Sequence, residues 1–302
     1  MPDIILKTTN LGKQYKNRWA AEDLNLEIHR GDVFGFLGPN GAGKSTTIRM
    51  ILSLIAPTTG SVELFGYRLE KEREEALAKV AGIVEKPDFY LYLSAFRNME
   101  IAGSLTLGKT PPRKKIVDSM ALVGLADRAQ DRVKTFSHGM KQRLGIAQSL
   151  LCDPELIVLD EPTNGLDPQG MKEVRELIGR LSTQHNMTVF LSSHLLNEVE
   201  QVATRMAIIN KGKLVVQGGV QELLRASANR ILFNAEPLKK ALSVLNKLNI
   251  VSNASLDSTG ITATVETKDL PVVVAKLVSA KCKVYGVKQQ RSLEEYFLSV
   301  TE

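Results

Sequence analysis

Long hydrophobic runs are missing from this chain of 302 residues. A bilayer-spanning helix needs about 20 consecutive apolar residues, whereas runs such as Val272–Ala275 stop after a few. No membrane span is expected in the chain; if a membrane is crossed, another chain does it. Cysteine is scarce as well: Cys152 and Cys282 fall in separate regions without metal-ligand spacing. Reduced thiols in the cytoplasm are therefore expected, with neither a disulfide framework nor a zinc site. The start, Met1-Pro2-Asp3-Ile4-Ile5, lacks a basic segment followed by an apolar one, so no secretory signal is expected. There is also no lysine–arginine block with aromatics interleaved. The 39 basic and 33 acidic residues leave a formal charge of +6, with the acids spread throughout, so nucleic acid is not the expected partner. The excess suits anionic headgroups near a membrane surface, or a solvated exterior with no partner meaning. The length allows a large core and two domains.

What is present lies in a few short strings. Gly38-Pro39-Asn40-Gly41-Ala42-Gly43-Lys44-Ser45-Thr46 fits GxxxxGK[ST], between the apolar run Val33–Leu37 and a helical stretch expected over Thr47–Ile55. A strand, a glycine loop and a helix N-terminus together present backbone N–H groups and a positive dipole end to a polyphosphate. Lys44 is placed to reach the β and γ phosphates, and Ser45 to ligate Mg²⁺. A nucleoside triphosphatase is the leading reading.

The run Leu156-Ile157-Val158-Leu159-Asp160-Glu161 is four apolar residues ended by two carboxylates. That is the pattern of a buried parallel strand whose tip enters a crevice. Asp160 is expected to hold Mg²⁺ through water, and Glu161 to orient the attacking water or accept its proton. Between the two sites lies Phe136-Ser137-His138-Gly139-Met140-Lys141-Gln142-Arg143, followed by apolar residues at helical spacing. Ser137 stands where an N-cap would, making a second anion site.

One chain with one γ-phosphate has no use for two such sites. Here the chain resembles the ATP-binding subunits of ABC transporters, in which this signature segment closes on the ATP held by the phosphate loop of a partner subunit. The resemblance covers residues 4 to 225 and rests on several motifs in order. It implies that Ser137 and Gly139 contact a partner's nucleotide. Tyr15 resembles the aromatic that stacks on adenine, with Trp19 as the substitute, and a core tyrosine is the plain alternative. Gly165-Leu166-Asp167 resembles the segment that touches the second ATPase. His194, after Val189-Phe190-Leu191-Ser192-Ser193, resembles the switch histidine that contacts the γ-phosphate and holds water with Glu161.

The signature departs from the family pattern at His138 and Met140, where glycine and glutamine are common. Glu85, in Gly82-Ile83-Val84-Glu85-Lys86-Pro87, stands where most relatives carry a glutamine that bridges Mg²⁺, water and the transmembrane partner. A carboxylate keeps the acceptor oxygen, so Glu85 is expected to serve both as a catalytic group and as a metal ligand. The Glu-x-Pro-x-Phe-Tyr string resembles the branch serving bacitracin and lantibiotic resistance.

The resemblance implies an α/β phosphate-loop ABC-type ATPase over residues 1–225, a mixed sheet core with a helical subdomain at about 87–151. Strands alternating with helices after Leu156 agree with a mainly parallel sheet. Ala207–Asn210 and Lys213–Gln217 read as a hairpin around Lys211-Gly212. Residues 226–302 read β-α-β-β-α-β, with a last helix at Ser292–Val300, which suits a small α+β ferredoxin-like accessory domain. The expected whole is the ATPase subunit of an ABC-2 type exporter at the cytoplasmic face of the membrane. It would use ATP and Mg²⁺, pair with a second ATPase subunit and serve a separate transmembrane permease, its cargo a peptide antibiotic or lipid-like compound. A soluble ABC-type ATPase acting on a ribosomal or DNA complex is the alternative. Two ATPase units or a long coiled-coil insertion would mark that class, and neither occurs here.

Overall fold

All five residues of Val33–Leu37 are buried, as are Leu156–Leu159 and Thr188–Ser193, so these runs form strands covered on both faces. In the computed structural model, which describes residues 3–228, 230–257 and 260–289, they lie side by side in a six-stranded sheet. Its order is Lys213–Gly219, Arg205–Asn210, Val33–Leu37, Thr188–Ser193, Leu156–Leu159, Val80–Ile83. The last five strands are mutually parallel. Their carboxyl ends therefore emerge along one edge, where open α/β sheets bind ligands. The outermost strand returns through Lys211 (φ 49°) and Gly212 (φ 83°), the left-handed pair that a tight hairpin turn requires.

A second, antiparallel sheet is built on Ile4–Tyr15, flanked by Arg18–Leu24, Glu27–His29 and Thr59–Leu64. One apolar core joins it to the central sheet: Ile5, Leu6, Leu24 and Leu64 meet Ile48 and Ile51 of the phosphate-loop helix and Phe34, Phe36 and Phe190 of the strands. Phe190 stacks on Phe34 at 5.6 Å between ring centroids and lies 5.5 Å from Phe36. Each such fully buried side chain is worth about 1.5–3 kcal/mol.

The helix after the phosphate loop spans Lys44–Ile51, not Thr47–Ile55. It starts early because Gly43, at φ 108°, turns the chain straight into helical geometry, and it stops early because Ser53 adopts φ 55°. Helices Ala95–Leu107, Arg113–Leu122 and His138–Leu150 occupy the interval expected to be helical. Asp167 caps helix Pro168–His185, accepting from the Gly170 N–H at 3.0 Å, with Pro168 in the first turn.

The chain divides into two units, residues 1–218 and 219–302, so helix Val220–Ala228 goes with the second unit although the sequence reading drew the line at 225. In the second unit the order is strand Arg230–Glu236, helix Leu238–Leu245, strands Val251–Asp257 and Gly260–Val265, helix Leu270–Ser279 and strand Lys283–Gln289. Its antiparallel sheet runs Val251–Asp257, Gly260–Val265, Arg230–Glu236, Lys283–Gln289. Ile231, Phe233, Leu245, Ile261, Val273 and Leu277 form its core. The helix expected at Ser292–Val300 lies outside the described residues. Among those described, no helix is long and apolar enough to cross a membrane.

Candidate functional site

The loop Gly38–Thr46 joins strand Val33–Leu37 to helix Lys44–Ile51, and two of its glycines take backbone conformations that side chains resist. Gly41 has φ 80° and Gly43 φ 108°. The Lys44 ammonium donates to the carbonyls of Gly38 (2.7 Å) and Pro39 (3.3 Å). It also lies 3.1 Å from Glu161 Oε1. The other Glu161 oxygen, Oε2, is 2.8 Å from His194 Nδ1. Lys44, Glu161 and His194 thus form one chain of close polar contacts across the carboxyl ends of three neighbouring strands. The Lys44 and Glu161 side chains are 5 % and 19 % exposed, and their attraction is strengthened by the shortage of water.

Register explains the convergence. Leu37 pairs with Ser193 and Leu159 with Leu191, which brings the phosphate loop, Asp160-Glu161 and His194 to the same level of the sheet. Glu161 leaves its strand at φ 49°, left-handed for a side chain without the local hydrogen bonding of asparagine. Strain of this kind costs about 1–3 kcal/mol and collects at functional sites. A cavity of about 240 Å³ opens between Asn40, Gly41, Gly43, Lys44, Ser45, Thr46, Glu161, Asn164 and Ala20.

Other residues singled out from sequence stand elsewhere. Asp160 is buried one residue before Glu161, its Oδ1 accepting from Ser192 Oγ at 2.6 Å. Glu85 lies past the end of strand Val80–Ile83 at φ 71°, its side chain 70 % exposed and paired with Arg49 of the phosphate-loop helix at 2.5 Å. It does not line the cavity. Tyr15, 49 % exposed, ends the first hairpin strand with the Lys13 ammonium 5.5 Å from its ring centre, and it too lies outside the cavity lining. Trp19 pairs with Gln14 in the same hairpin.

Ser137 caps helix His138–Leu150, accepting from the Met140 N–H at 3.2 Å. Neither Ser137 nor Gly139 lines the cavity of its own chain. Gly139 packs against Gly170, where a Cβ would stand 3.4 Å from the Gly170 Cα, so two capped helix N-termini come together. The exposed His138 ring lies over Gly165, its Cε1 3.6 Å from the place of a Cβ.

Sequence reasoning missed Ser192, Asn164 and Ala20. Ser192 left a signal: a hydroxyl within an otherwise buried strand needs a partner. Asn164 and Ala20 left none, because only the folded loop brings them to the cavity.

A family profile described as ABC transporter matches residues 21–164. The chain is 40 % identical over 298 residues to YhcH, an uncharacterized ABC transporter ATP-binding protein of Bacillus subtilis, covering 98 % of this chain and 96 % of the relative. Against the bacitracin transport ATP-binding protein BcrA of Bacillus licheniformis, identity is 43 % over 243 residues, or 80 % and 79 % of the two chains. The ATP-binding cassette MJ0796, solved as a dimer bound to ADP and Pi, shares the fold at a TM-score of 0.63 and 24 % identity, over 72 % of this chain and 99 % of that one.

Proposed function

The chain belongs to the ABC transporter ATP-binding proteins, and on that premise we propose that two copies work together at the cytoplasmic face of a membrane to drive export of a peptide or lipid-like antibiotic. The chain is the ATP-binding and ATP-hydrolysing subunit, and it powers a separate permease. The observation that carries the reading is the contact chain from Lys44 through Glu161 to His194, at 3.1 and 2.8 Å.

In this reading the phosphates lie along the loop's N–H groups, and Lys44 takes them in place of Glu161. Glu161, still held by His194, then receives the proton of the attacking water. The residues present fit a Mg²⁺ ion. Ser45 lines the cavity, the buried Asp160 directly precedes Glu161, which also lines it, and both Ser45 and Asp160 offer the hard oxygen donors that Mg²⁺ takes. When bound, the ion neutralises charge on the β and γ phosphates.

Ser137 and the free N–H groups of its helix serve the nucleotide of the second subunit, Gly139 allowing close approach. Tyr15 supports the adenine from the hairpin. Glu85 reports on the permease from the sheet edge. The second unit braces the ATPase or its pairing. Bacitracin transport by BcrA suggests the cargo class.

The experiment is purification of the tagged chain from its native membranes in mild detergent. A polytopic membrane protein in comparable amount is the expected outcome. Recovery alone from the soluble fraction, or with ribosomal or DNA-bound proteins, would overturn the exporter reading and leave the ATP chemistry standing.

A further inference from the structure

Ser192 is fully buried in strand Thr188–Ser193, with Phe190 two residues before it in the main core. A hydroxyl in such a place costs stability unless both its donor and its acceptor capacity are used. Both are used on the neighbouring strand. The pairs Val158–Phe190 and Leu159–Leu191 set the register, and the next step along it brings Asp160 beside Ser192. Ser192 Oγ donates to Asp160 Oδ1 at 2.6 Å and accepts from the Glu161 N–H at 2.9 Å. The second bond stands in for the ladder bond that Glu161 gives up by turning out of its strand at φ 49°.

We propose that Ser192 is a positioning residue for hydrolysis, a single hydroxyl that fixes both the orientation of the Asp160 carboxylate and the backbone turn that aims Glu161. This rests on the ATPase reading above. With Oδ1 taken by Ser192, work on the cation falls to the remaining Asp160 oxygen. With its N–H held, Glu161 keeps its two carboxylate oxygens on Lys44 and on His194. The two acids owe their different tasks to one side chain between them, and His194 follows two residues later, just past the end of the same strand.

The test compares wild type with Ser192→Ala, Ser192→Thr and Ser192→Cys in the full chain. Hydrolysis is read with binding of a non-hydrolysable ATP analogue, titrated with and without Mg²⁺. Loss of a partner behind a metal-site ligand costs about 10–100-fold in metal affinity or activity. Ser192→Ala is expected to lower kcat by about that factor and to lose a similar part of the Mg²⁺-dependent gain in analogue affinity, while affinity in chelator stays at the wild-type level. Ser192→Thr, which keeps the hydroxyl, is expected to recover most of both. Wild-type kcat and Mg²⁺ dependence in Ser192→Ala would overturn the assignment. So would an equal loss in folded Ala and Thr variants, since the hydroxyl would then not be what matters. If Ser192→Ala fails to fold, Ser192→Cys, of similar size and with a weaker donor, carries the same comparison, and wild-type kinetics in it would overturn the assignment. A wild-type chain that binds the analogue but hydrolyses no ATP would instead remove the ATPase reading itself.

Discussion

Gly43 and Gly41 make opposite demands although both have positive φ. A Cβ on Gly43 would stand 2.1 Å from the Ala20 carbonyl oxygen, and that strand is pinned two residues on by the Glu22 N–H bond to the Gly212 carbonyl at 2.8 Å. Around Gly41 nothing lies within 4 Å of an added Cβ. Gly43→Ala is therefore expected to abolish nucleotide binding, while Gly41→Asn, a residue that tolerates the left-handed region, keeps most of it. Fluorescent-nucleotide titration of the two variants decides, and equal losses would show that loop sterics do not set the site. For the chemistry, Glu161→Gln keeps the shape of the contact chain and removes the proposed base. It should permit ATP-dependent pairing while hydrolysis falls by at least about 10²-fold. Undiminished turnover would take Glu161 out of the role given to it. Lys44→Ala should act earlier, weakening nucleotide affinity.

Among elements, the strand tips were legible from sequence and their mutual placement was not. An apolar run ended by a glycine loop, by Asp160-Glu161 or by His194 announces a buried parallel strand with chemistry at its carboxyl end, because each signal is local. Register is a long-range property. No periodicity within Thr188–Ser193 says that its fifth residue stands beside Asp160, and none within His138–Leu150 says that Gly139 meets Gly170. The start of the phosphate-loop helix at Lys44 was missed for a related reason, since the apolar pattern begins later than the backbone geometry that Gly43 imposes. Glu85 was legible as a position, but its pairing with Arg49 was not. That pair is largely exposed and adds about 0–1 kcal/mol. Glu85→Gln should leave thermal unfolding where it is and change the ATPase rate only when the permease is present. Wild-type ATPase and transport together would reduce Glu85 to a tolerated partner of Arg49.

In the first unit as a whole, the residues proposed for the chemistry and an ion-pair network lie at opposite edges of one sheet. Lys44, Glu161 and His194 follow the carboxyl ends of the strands, while Lys79, Glu155 and Arg30 precede the amino ends of Val80–Ile83, Leu156–Leu159 and Val33–Leu37. Glu155 binds Lys79 at 2.5 Å through one oxygen and Arg30 through the other, and Arg30 also reaches Asp3. Both cations lie over the Phe65 ring, at 5.8 Å for Lys79 and 6.0 Å for Arg30, and the Phe65 N–H is bonded to Ile5 of the antiparallel sheet at 2.8 Å. The network therefore ties the two sheets together at the edge away from the cavity beside Lys44 and Glu161. Hydrogen bonds from Lys79 and then Arg30 hold the Glu155 carboxyl below its ordinary 4.5. A carboxylate that stays charged to lower pH in the folded chain than in the unfolded one stabilises the fold above its ordinary value, and that stability is lost as pH falls through the lowered one. Urea unfolding should accordingly find Glu155→Gln less stable than wild type by about 1 kcal/mol near pH 7. The gap should narrow as the pH drops below about 4.5. ATP turnover per folded molecule should be unchanged, because the network touches none of the residues at the far edge. A gap independent of pH would mean that Glu155 acts through packing alone, and a fall in turnover would mean that the two edges of the sheet are coupled.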